Sequence, residues 1–247
     1  MPRQITRRAV LHAAAVGLTG CGVRLGGPGE SRLRLTARPS PAMARSLPTG
    51  TWTIRLDNGR VGLVHVPARD VRALVVALHG ARGTARSGLD LLRAQADRLA
   101  FVILAPASAG STWAVLRGGA DPDTPALDAA LTEVLAAQPL DTGRLAVAGF
   151  SDGASYALSL GLANGDLFSR VVAFSPGFQA GGGHRRGRPE LFITHGTRDR
   201  VLPIERTSRP LVHALTRDGY AVTYREFDGP HTVPPALAAE AADWILH

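Results

Sequence analysis

The chain has 247 residues, 45% of them hydrophobic, which is enough for one domain with a substantial core. Its formal net charge is +8, and every Lys/Arg-type residue is an arginine. A basic balance of this kind is typical of nucleic-acid-binding proteins, but these arginines are scattered along the chain and are not interleaved with aromatic residues. The composition therefore argues against a nucleic-acid partner.

The amino terminus has the features of a bacterial export signal. Thr6-Arg7-Arg8 opens a motif similar to the twin-arginine signal, and the apolar run from Ala9 to Leu18 is too short to span a bilayer. Leu18-Thr19-Gly20-Cys21 resembles a lipoprotein box, and Cys21 is the only cysteine, which excludes an internal disulfide. We expect residues 1–20 to be a twin-arginine-type lipoprotein signal peptide; the alternative is an ordinary secretory signal with a chance cysteine.

The segment after the signal is rich in glycine, proline, arginine and serine and has no sustained periodicity. We predict that residues 21–50 form a flexible tether ahead of one domain at 51–247. The expected location is extracytoplasmic, and the expected contact with a membrane is only through a lipid on Cys21.

From residue 51 the pattern becomes that of a sheet protein. Two alternating runs, Thr51–Asp57 and Arg60–Pro67, are separated by Asn58-Gly59, which favours a hairpin turn. Further strands are predicted at Arg72–Leu78, Phe101–Ala105, Arg144–Ala148, Val171–Phe174, Leu191–Thr194 and Tyr220–Phe227, and helices at Ser87–Ala100, Pro125–Ala137, Ala154–Ala163, Glu205–Arg217 and Pro235–Leu246. This alternation predicts an α/β fold: a mostly parallel sheet with an antiparallel amino-terminal hairpin and helices on both faces.

One serine lies in a motif that joins a predicted strand to a predicted helix. Gly149-Phe150-Ser151-Asp152-Gly153 matches the G-x-S-x-G pattern, with an apolar strand before it and a helical pattern after it. The small residues on both sides allow a sharp turn that places the hydroxyl at the carboxyl edge of the sheet. The motif predicts Ser151 as a nucleophile; the alternative is a serine that only caps a helix.

A carboxylate and a histidine follow this serine along the chain. Asp199 comes just after the strand Leu191–Thr194, and His231 comes in the loop after the strand Tyr220–Phe227. A serine hydroxyl needs a base beside it and a third group that orients the base. The order serine, aspartate, histidine is that of the α/β-hydrolase triad, so we predict Ser151, Asp199 and His231 as the catalytic residues.

Plainer interpretations exist for two of these residues. Asp199 also suits an ordinary turn, and a lone loop histidine such as His231 is usually just exposed. Among the other histidines, His195 opens the turn that carries Asp199 and is expected to be structural, while His213 is expected at the surface of a helix.

An acyl-transfer site also needs two backbone N–H groups that stabilise the oxyanion. We predict Asp152, directly after the nucleophile, and Ala81, in the loop Leu78-His79-Gly80-Ala81, as these donors. Trp113 is predicted either to form a wall of the substrate pocket or to pack in the core. No spacing of histidine, cysteine and acidic residues suggests a metal site.

As a set, these motifs resemble a known family. Leu78–Gly83, Gly149–Gly153, Asp199 within HGTRDRVLP and His231 within GPHTVP are similar to the phospholipase/carboxylesterase branch of the α/β-hydrolase superfamily. Polyhydroxybutyrate-depolymerase-like and dienelactone-hydrolase-like esterases are related to it. The resemblance covers about residues 70–247.

The resemblance implies hydrolysis of carboxylic esters without a cofactor. By the same resemblance, Ser151 is the nucleophile, His231 the general base and then acid, and Asp199 its orienting carboxylate. Ala81 and Asp152 are the implied oxyanion donors. Such enzymes often have glutamine where this chain has Asp152, and that carboxylate would oppose an oxyanion unless it points away. The short segment Ser175–Pro189 predicts that no large cap covers the site.

The sequence thus predicts a serine carboxylesterase that acts on small to medium esters and whose activity falls between about pH 7 and pH 6. A serine peptidase or a thioesterase with the same triad is one alternative. A lipoprotein that binds a ligand and has lost catalysis is another.

Overall fold

The structure, a computed structural model, describes residues 33–39, 47–57, 59–71, 73–118, 120–138, 140–180 and 185–247. The predicted signal peptide at 1–20 and Cys21 lie outside these ranges and stay predictions. No helix within the described ranges has the length and hydrophobicity needed to cross a membrane.

The described residues form an eight-stranded sheet with helices on both faces. The strands are β1 (Gly50–Arg55), β2 (Val61–Val66), β3 (Ala73–Leu78), β4 (Phe101–Ala105), β5 (Leu145–Phe150), β6 (Arg170–Phe174), β7 (Glu190–Gly196) and β8 (Val222–Phe227). The helices are α1 (Ala85–Asp90), α2 (Arg93–Leu99), α3 (Asp123–Ala137), α4 (Asp152–Ala163), α5 (Ser208–Arg217) and α6 (Pro235–Leu246).

The strand order in the sheet is β1-β2-β4-β3-β5-β6-β7-β8. β2 pairs antiparallel with β1 and β4, and every other neighbouring pair is parallel. The predicted mostly parallel sheet with an antiparallel amino-terminal hairpin is therefore confirmed. All parallel strands end at one edge, which is where ligands bind in sheets of this kind.

The central strands are apolar along their whole length because helices cover both of their faces. In β3, Leu74 and Val76 pack into the core formed with α3, α4 and α5. Val75 and Ala77, which alternate with them, pack into the core formed with α1, α2 and α6. The sheet is thus fixed from both sides, so that the loops at its carboxyl edge start from rigid positions.

The helix predicted over Ser87–Ala100 is two helices in the structure. α1 begins earlier, because Thr84 caps it: Thr84 Oγ1 accepts from the Ser87 N–H at 3.4 Å, and Ser87 Oγ accepts from the Thr84 N–H at 2.7 Å. Leu92, with φ −133° and ψ 8°, interrupts the helical backbone between α1 and α2. The break lines a cleft beside the candidate site.

Residues 33–39 pack against the domain, although the sequence placed them in the tether. Leu35 is fully buried, and its N–H donates to Asn164 Oδ1 at 2.9 Å. The Asn164 amide in turn donates to the Leu33 carbonyl at 2.7 Å. The predicted tether over 21–50 is therefore wrong for this segment, and a domain start at 51 is too late. The few apolar side chains of residues 33–39 pack against parts of the chain that are distant in sequence. Composition alone does not reveal such contacts.

Candidate active site

Ser151 lies on a sharp turn between β5 and α4. Its φ of 56° and ψ of −120° belong to a region that residues other than glycine rarely adopt. The Ser151 N–H donates to the Phe174 carbonyl on the neighbouring strand at 2.9 Å, which holds the turn against β6. This is the geometry of a nucleophile elbow, in which the serine hydroxyl is presented at the carboxyl edge of the sheet.

The two glycines of the motif allow this turn to pack closely. A Cβ atom on Gly149 would lie 2.2 Å from the Gly153 carbonyl oxygen, and a Cβ atom on Gly153 would lie 2.2 Å from the Leu78 carbonyl oxygen. No side chain can be accommodated at such distances. The glycines are therefore required where β3, β5 and α4 meet around the serine.

The three side chains predicted as a triad form one hydrogen-bonded row. His231 Nε2 lies 2.9 Å from Ser151 Oγ, and His231 Nδ1 lies 2.5 Å from Asp199 Oδ2. Ser151 and Asp199 are buried at 8% and 6% exposure, and the ring of Phe150 packs against the imidazole with 4.7 Å between centroids. The arrangement allows the hydroxyl proton to move to Nε2 while the carboxylate keeps a hydrogen on Nδ1.

The Asp199 carboxylate accepts from two backbone N–H groups and from His231, and it lies close to His195. Oδ1 accepts from the Val201 and Leu202 N–H groups, both at 2.8 Å, and Oδ2 faces His231 and, at 3.1 Å, His195 Nε2. Burial alone would raise the pKa of Asp199, but the Leu202 N–H and His231 outweigh it and hold the pKa below its ordinary value. The carboxylate is therefore ionised at neutral pH and fixed in orientation.

His195 is buried behind Asp199, as its interpretation as a structural residue requires. Its Nε2 lies 2.8 Å from the Leu202 carbonyl, and its Nδ1 bonds to the Ser208 hydroxyl. Because the carbonyl and the carboxylate only accept, Nε2 carries the hydrogen and Nδ1 accepts. Burial lowers the pKa of His195, so the ring is neutral. The contact with Asp199 was missed in the sequence, although the spacing of four residues, from the end of a strand into the turn after it, is its signal.

The predicted oxyanion donors lie on two loops beside the serine. Asp152 is the first residue of α4, and Ala81 lies in the loop after β3; neither N–H donates to an acceptor among the described residues. The Ala81 loop is close, because a Cβ atom on Gly80 would lie 3.3 Å from Ser151 Cβ. The two segments that carry the predicted donors therefore border the serine.

Trp113 supports this loop from the core and does not line a substrate pocket. It is 1% exposed and packs between the rings of His79 and Tyr156, with centroid distances of 4.7 and 4.9 Å. Its Nε1 donates to the His79 carbonyl at 2.9 Å. The prediction that Trp113 forms a wall of the substrate pocket is therefore wrong. The alternative, core packing, is correct, because the ring is buried beneath the loop that carries Ala81.

The side chain of His79 fixes the same loop. Its Nδ1 lies 2.8 Å from the Gly80 carbonyl, and the Ser108 N–H donates to Nε2 at 3.1 Å. Nδ1 therefore carries the hydrogen and the ring is neutral. Burial lowers the pKa of His79, in the same direction as for His195.

The Asp152 carboxylate is held by a neighbouring hydroxyl. Thr112 Oγ1 donates to Asp152 Oδ2 at 2.6 Å, which directs that oxygen toward the loop after β4. Sequence reasoning named the charge of Asp152 as a problem for an oxyanion but did not single out Thr112, and no motif in the sequence signals it. In the described part of the chain, no group of three or more histidine, cysteine and acidic residues has the arrangement of a metal site.

The two buried neutral histidines predict a loss of stability in mild acid. Because burial lowers the pKa of His79 and His195 in the folded state, the unfolded chain binds more protons once the pH falls below about 6.5. The stability that they contribute is therefore complete above that pH and decreases below it. We expect the midpoint of thermal unfolding to fall by a few degrees between pH 7.5 and pH 5.5.

This pH effect has a matched pair of variants. His195→Asn removes one of the two groups and should reduce the shift, whereas His213→Asn, at an exposed position of α5, should leave it unchanged. Equal midpoints at the two pH values for the unmodified protein would contradict the assignment of neutral, buried rings.

The chain is similar to solved structures over most of its length. No family model matches it, and neither does any curated protein sequence. Esterase PE8 is similar at a TM-score of 0.61 and 20% identity, over 81% of this chain and 99% of that chain. FphF of Staphylococcus aureus, a fluorophosphonate-binding serine hydrolase, is similar at a TM-score of 0.62 and 14% identity, over 80% and 97%.

A phospholipase/carboxylesterase from Dyadobacter fermentans is similar at a TM-score of 0.56 and 25% identity, over 82% of this chain and 98% of that chain. Identities this low establish the fold, and the sheet order and the serine turn agree with it. The resemblance that the motifs indicated is confirmed at the level of the fold. The chain has the α/β-hydrolase fold, which it shares with solved structures of esterases and of a phospholipase/carboxylesterase.

Proposed function

We propose that the chain is a serine carboxylesterase that hydrolyses small to medium carboxylic esters through an acyl-serine intermediate. The row of Ser151, His231 and Asp199, with distances of 2.9 and 2.5 Å, is the observation that supports it best. Two of the similar structures, esterase PE8 and the phospholipase/carboxylesterase, are named for ester hydrolysis, which supports esters as the substrates.

In the first half of the proposed reaction, Ser151 Oγ attacks the ester carbonyl carbon and its proton moves to His231 Nε2. The carbonyl oxygen becomes an oxyanion, which the N–H groups of Ala81 and Asp152 stabilise. Asp199 stabilises the positive charge on the imidazole. The bond between the carbonyl carbon and the alcohol oxygen then breaks, and His231 gives its proton to that oxygen, so that the alcohol leaves.

In the second half, a water molecule attacks the acyl-serine and gives a proton to His231 Nε2. The same two N–H groups bind the second oxyanion. The bond between the acyl carbon and Ser151 Oγ breaks, and the proton returns to the serine oxygen. The carboxylic acid leaves and the row is restored.

The alternative functions either use the same three catalytic side chains or need none of them. A serine peptidase or thioesterase would need the identical triad, so geometry separates these reactions poorly. A ligand-binding protein without catalysis would need no such alignment. The alignment of Ser151 and His231 with a fixed Asp199 carboxylate favours an active hydrolase over a binding protein.

A panel of acetyl compounds tests the proposed reaction. Purified protein is assayed with p-nitrophenyl acetate, S-phenyl thioacetate and p-nitroacetanilide at pH 7.5. We expect kcat/KM for the ester to exceed the amide value by at least about tenfold, a barrier difference of about 1.4 kcal/mol or more.

Each other outcome identifies an alternative. Equal or faster turnover of the amide would indicate a peptidase, and a dominant thioester activity would indicate a thioesterase. Failure to hydrolyse any of the three, together with no reaction of Ser151 with a fluorophosphonate, would indicate a binding protein.

A further inference from the structure

A cleft of about 530 Å³ lies beside the row of catalytic side chains. It runs between the break that separates α1 from α2 and the beginning of α6. His231 and Phe150 line it, as do the half-buried Leu91 and Val233. The histidine of the row is therefore directly accessible from this cleft.

The mechanism determines which part of an ester would face the cleft. The carbonyl oxygen must point to the N–H groups of Ala81 and Asp152, whereas the alcohol oxygen must come within about 2.6–3.2 Å of His231 Nε2, which protonates it. The cleft is lined by His231 but by neither Ala81, Asp152 nor Ser151. The substituent on the alcohol oxygen is thus the part that can extend into it.

We infer that this cleft binds the alcohol group of the substrate and that it fits an alcohol of ring size that carries hydroxyl groups. The inference rests on the proposed esterase function. The volume lies within the range of about 300–1,000 Å³ that is typical of small-molecule pockets, so a methyl or ethyl group leaves most of it unused.

The lining supplies both kinds of contact that such an alcohol needs. Phe150, Leu91 and Val233 offer apolar surface on which the face of a ring packs. Asp90 and Thr232 are exposed and also line the cleft, so a carboxylate and a hydroxyl are available for hydrogen bonds with hydroxyl groups. An unbranched alkyl alcohol makes no hydrogen bond with either of these groups.

Three acetate esters of primary alcohols test the inference, because their acyl groups are identical. The substrates are ethyl acetate, cyclohexylmethyl acetate and 6-O-acetylglucose. We expect kcat/KM for both ring-containing esters to exceed that for ethyl acetate by at least about tenfold, since a buried ring contributes several methylene-sized contacts. Equal values within a factor of about two for all three would overturn the inference.

Filling the cleft should remove this preference. Ala94, an exposed residue of α2, lines the cleft, and Ala94→Trp places a large ring in it. We expect the advantage of the ring-containing esters over ethyl acetate to be lost. The matched control is Ala136→Trp, at an exposed position of α3 away from the cleft, which should keep the advantage.

A second variant tests the hydroxyl contacts. Asp90→Asn should lower kcat/KM for 6-O-acetylglucose a few-fold relative to cyclohexylmethyl acetate, because one acceptor for hydroxyl groups is weakened. Glu133→Gln, exposed on α3, is its control.

The outcomes separate the two proposals. Hydrolysis of all three esters without an alcohol preference overturns the assignment of the cleft and leaves the esterase intact. An equal loss of turnover for all three esters in Ala94→Trp also overturns the assignment of the cleft. If the unmodified protein hydrolyses none of the esters, including p-nitrophenyl acetate, the proposed function fails and the cleft assignment fails with it.

Discussion

Asp199→Asn is expected to lower kcat for a good ester by about 10³- to 10⁴-fold, with little change in KM. The N–H groups of Val201 and Leu202, both at 2.8 Å, require an acceptor where Oδ1 now lies. The amide oxygen of asparagine therefore faces them, and its NH₂ group faces His231. That group cannot accept from Nδ1–H, so the imidazole places its hydrogen on Nε2 and can no longer take the proton of Ser151.

The matched control for this substitution is Asp228→Asn. Asp228 is exposed, pairs with Arg198 at 3.0 Å and makes no contact with His231. Its kcat should stay within about twofold of the unmodified protein, because exposed ion pairs contribute little. The measurement is steady-state kinetics on both variants after their thermal unfolding curves have been recorded. If folded Asp199→Asn keeps more than about a tenth of kcat, Asp199 does not orient the base.

The sheet was predictable because its strands carry their own signals. β3, β4 and β5 are uninterrupted apolar runs bounded by turn residues, as strands covered on both faces must be. The turn at Ser151 was predictable for a similar reason. The backbone approaches there are so close that only glycine fits at Gly149 and Gly153, and this requirement is visible as a motif.

Other features depend on contacts between distant parts of the chain, which leave no local pattern. Leu35 packs into the core, and its N–H donates to Asn164, which is 129 residues away. Trp113 was misplaced because a loop tryptophan after a strand suits a pocket wall and a core position equally well. Only the structure shows that its Nε1 reaches the His79 carbonyl.

The side-chain contacts around the site also fall into two groups, those that the sequence could have indicated and those that it could not. His195 lies at the end of β7 and Asp199 in the turn after it, and this spacing of four residues could have indicated their contact. Thr112 and Asp152 are 40 residues apart, and nothing in either segment indicates that their side chains meet. The cleft beside His231 depends on the break between α1 and α2, which the continuous helical pattern of the sequence conceals.

Ser151→Ala is expected to lower kcat/KM for p-nitrophenyl acetate by on the order of 10⁵-fold or more. The substitution removes one hydroxyl, whose bond in the structure is to His231 Nε2. The backbone N–H of the residue still bonds to Phe174, so the turn keeps its support. The variant should therefore fold, with a thermal midpoint close to that of the unmodified protein. Ser159→Ala, two turns further along α4, is the matched control and should remain active.

The nucleophile is tested most directly by covalent labelling. Purified protein is treated with a fluorophosphonate, and the modified peptide is mapped by mass spectrometry. A single stoichiometric adduct on Ser151, which is lost in Ser151→Ala and strongly slowed in Asp199→Asn, is the expected result. An unlabelled Ser151, or an adduct on another serine while ester hydrolysis continues, would contradict the assignment of this row as the catalytic centre.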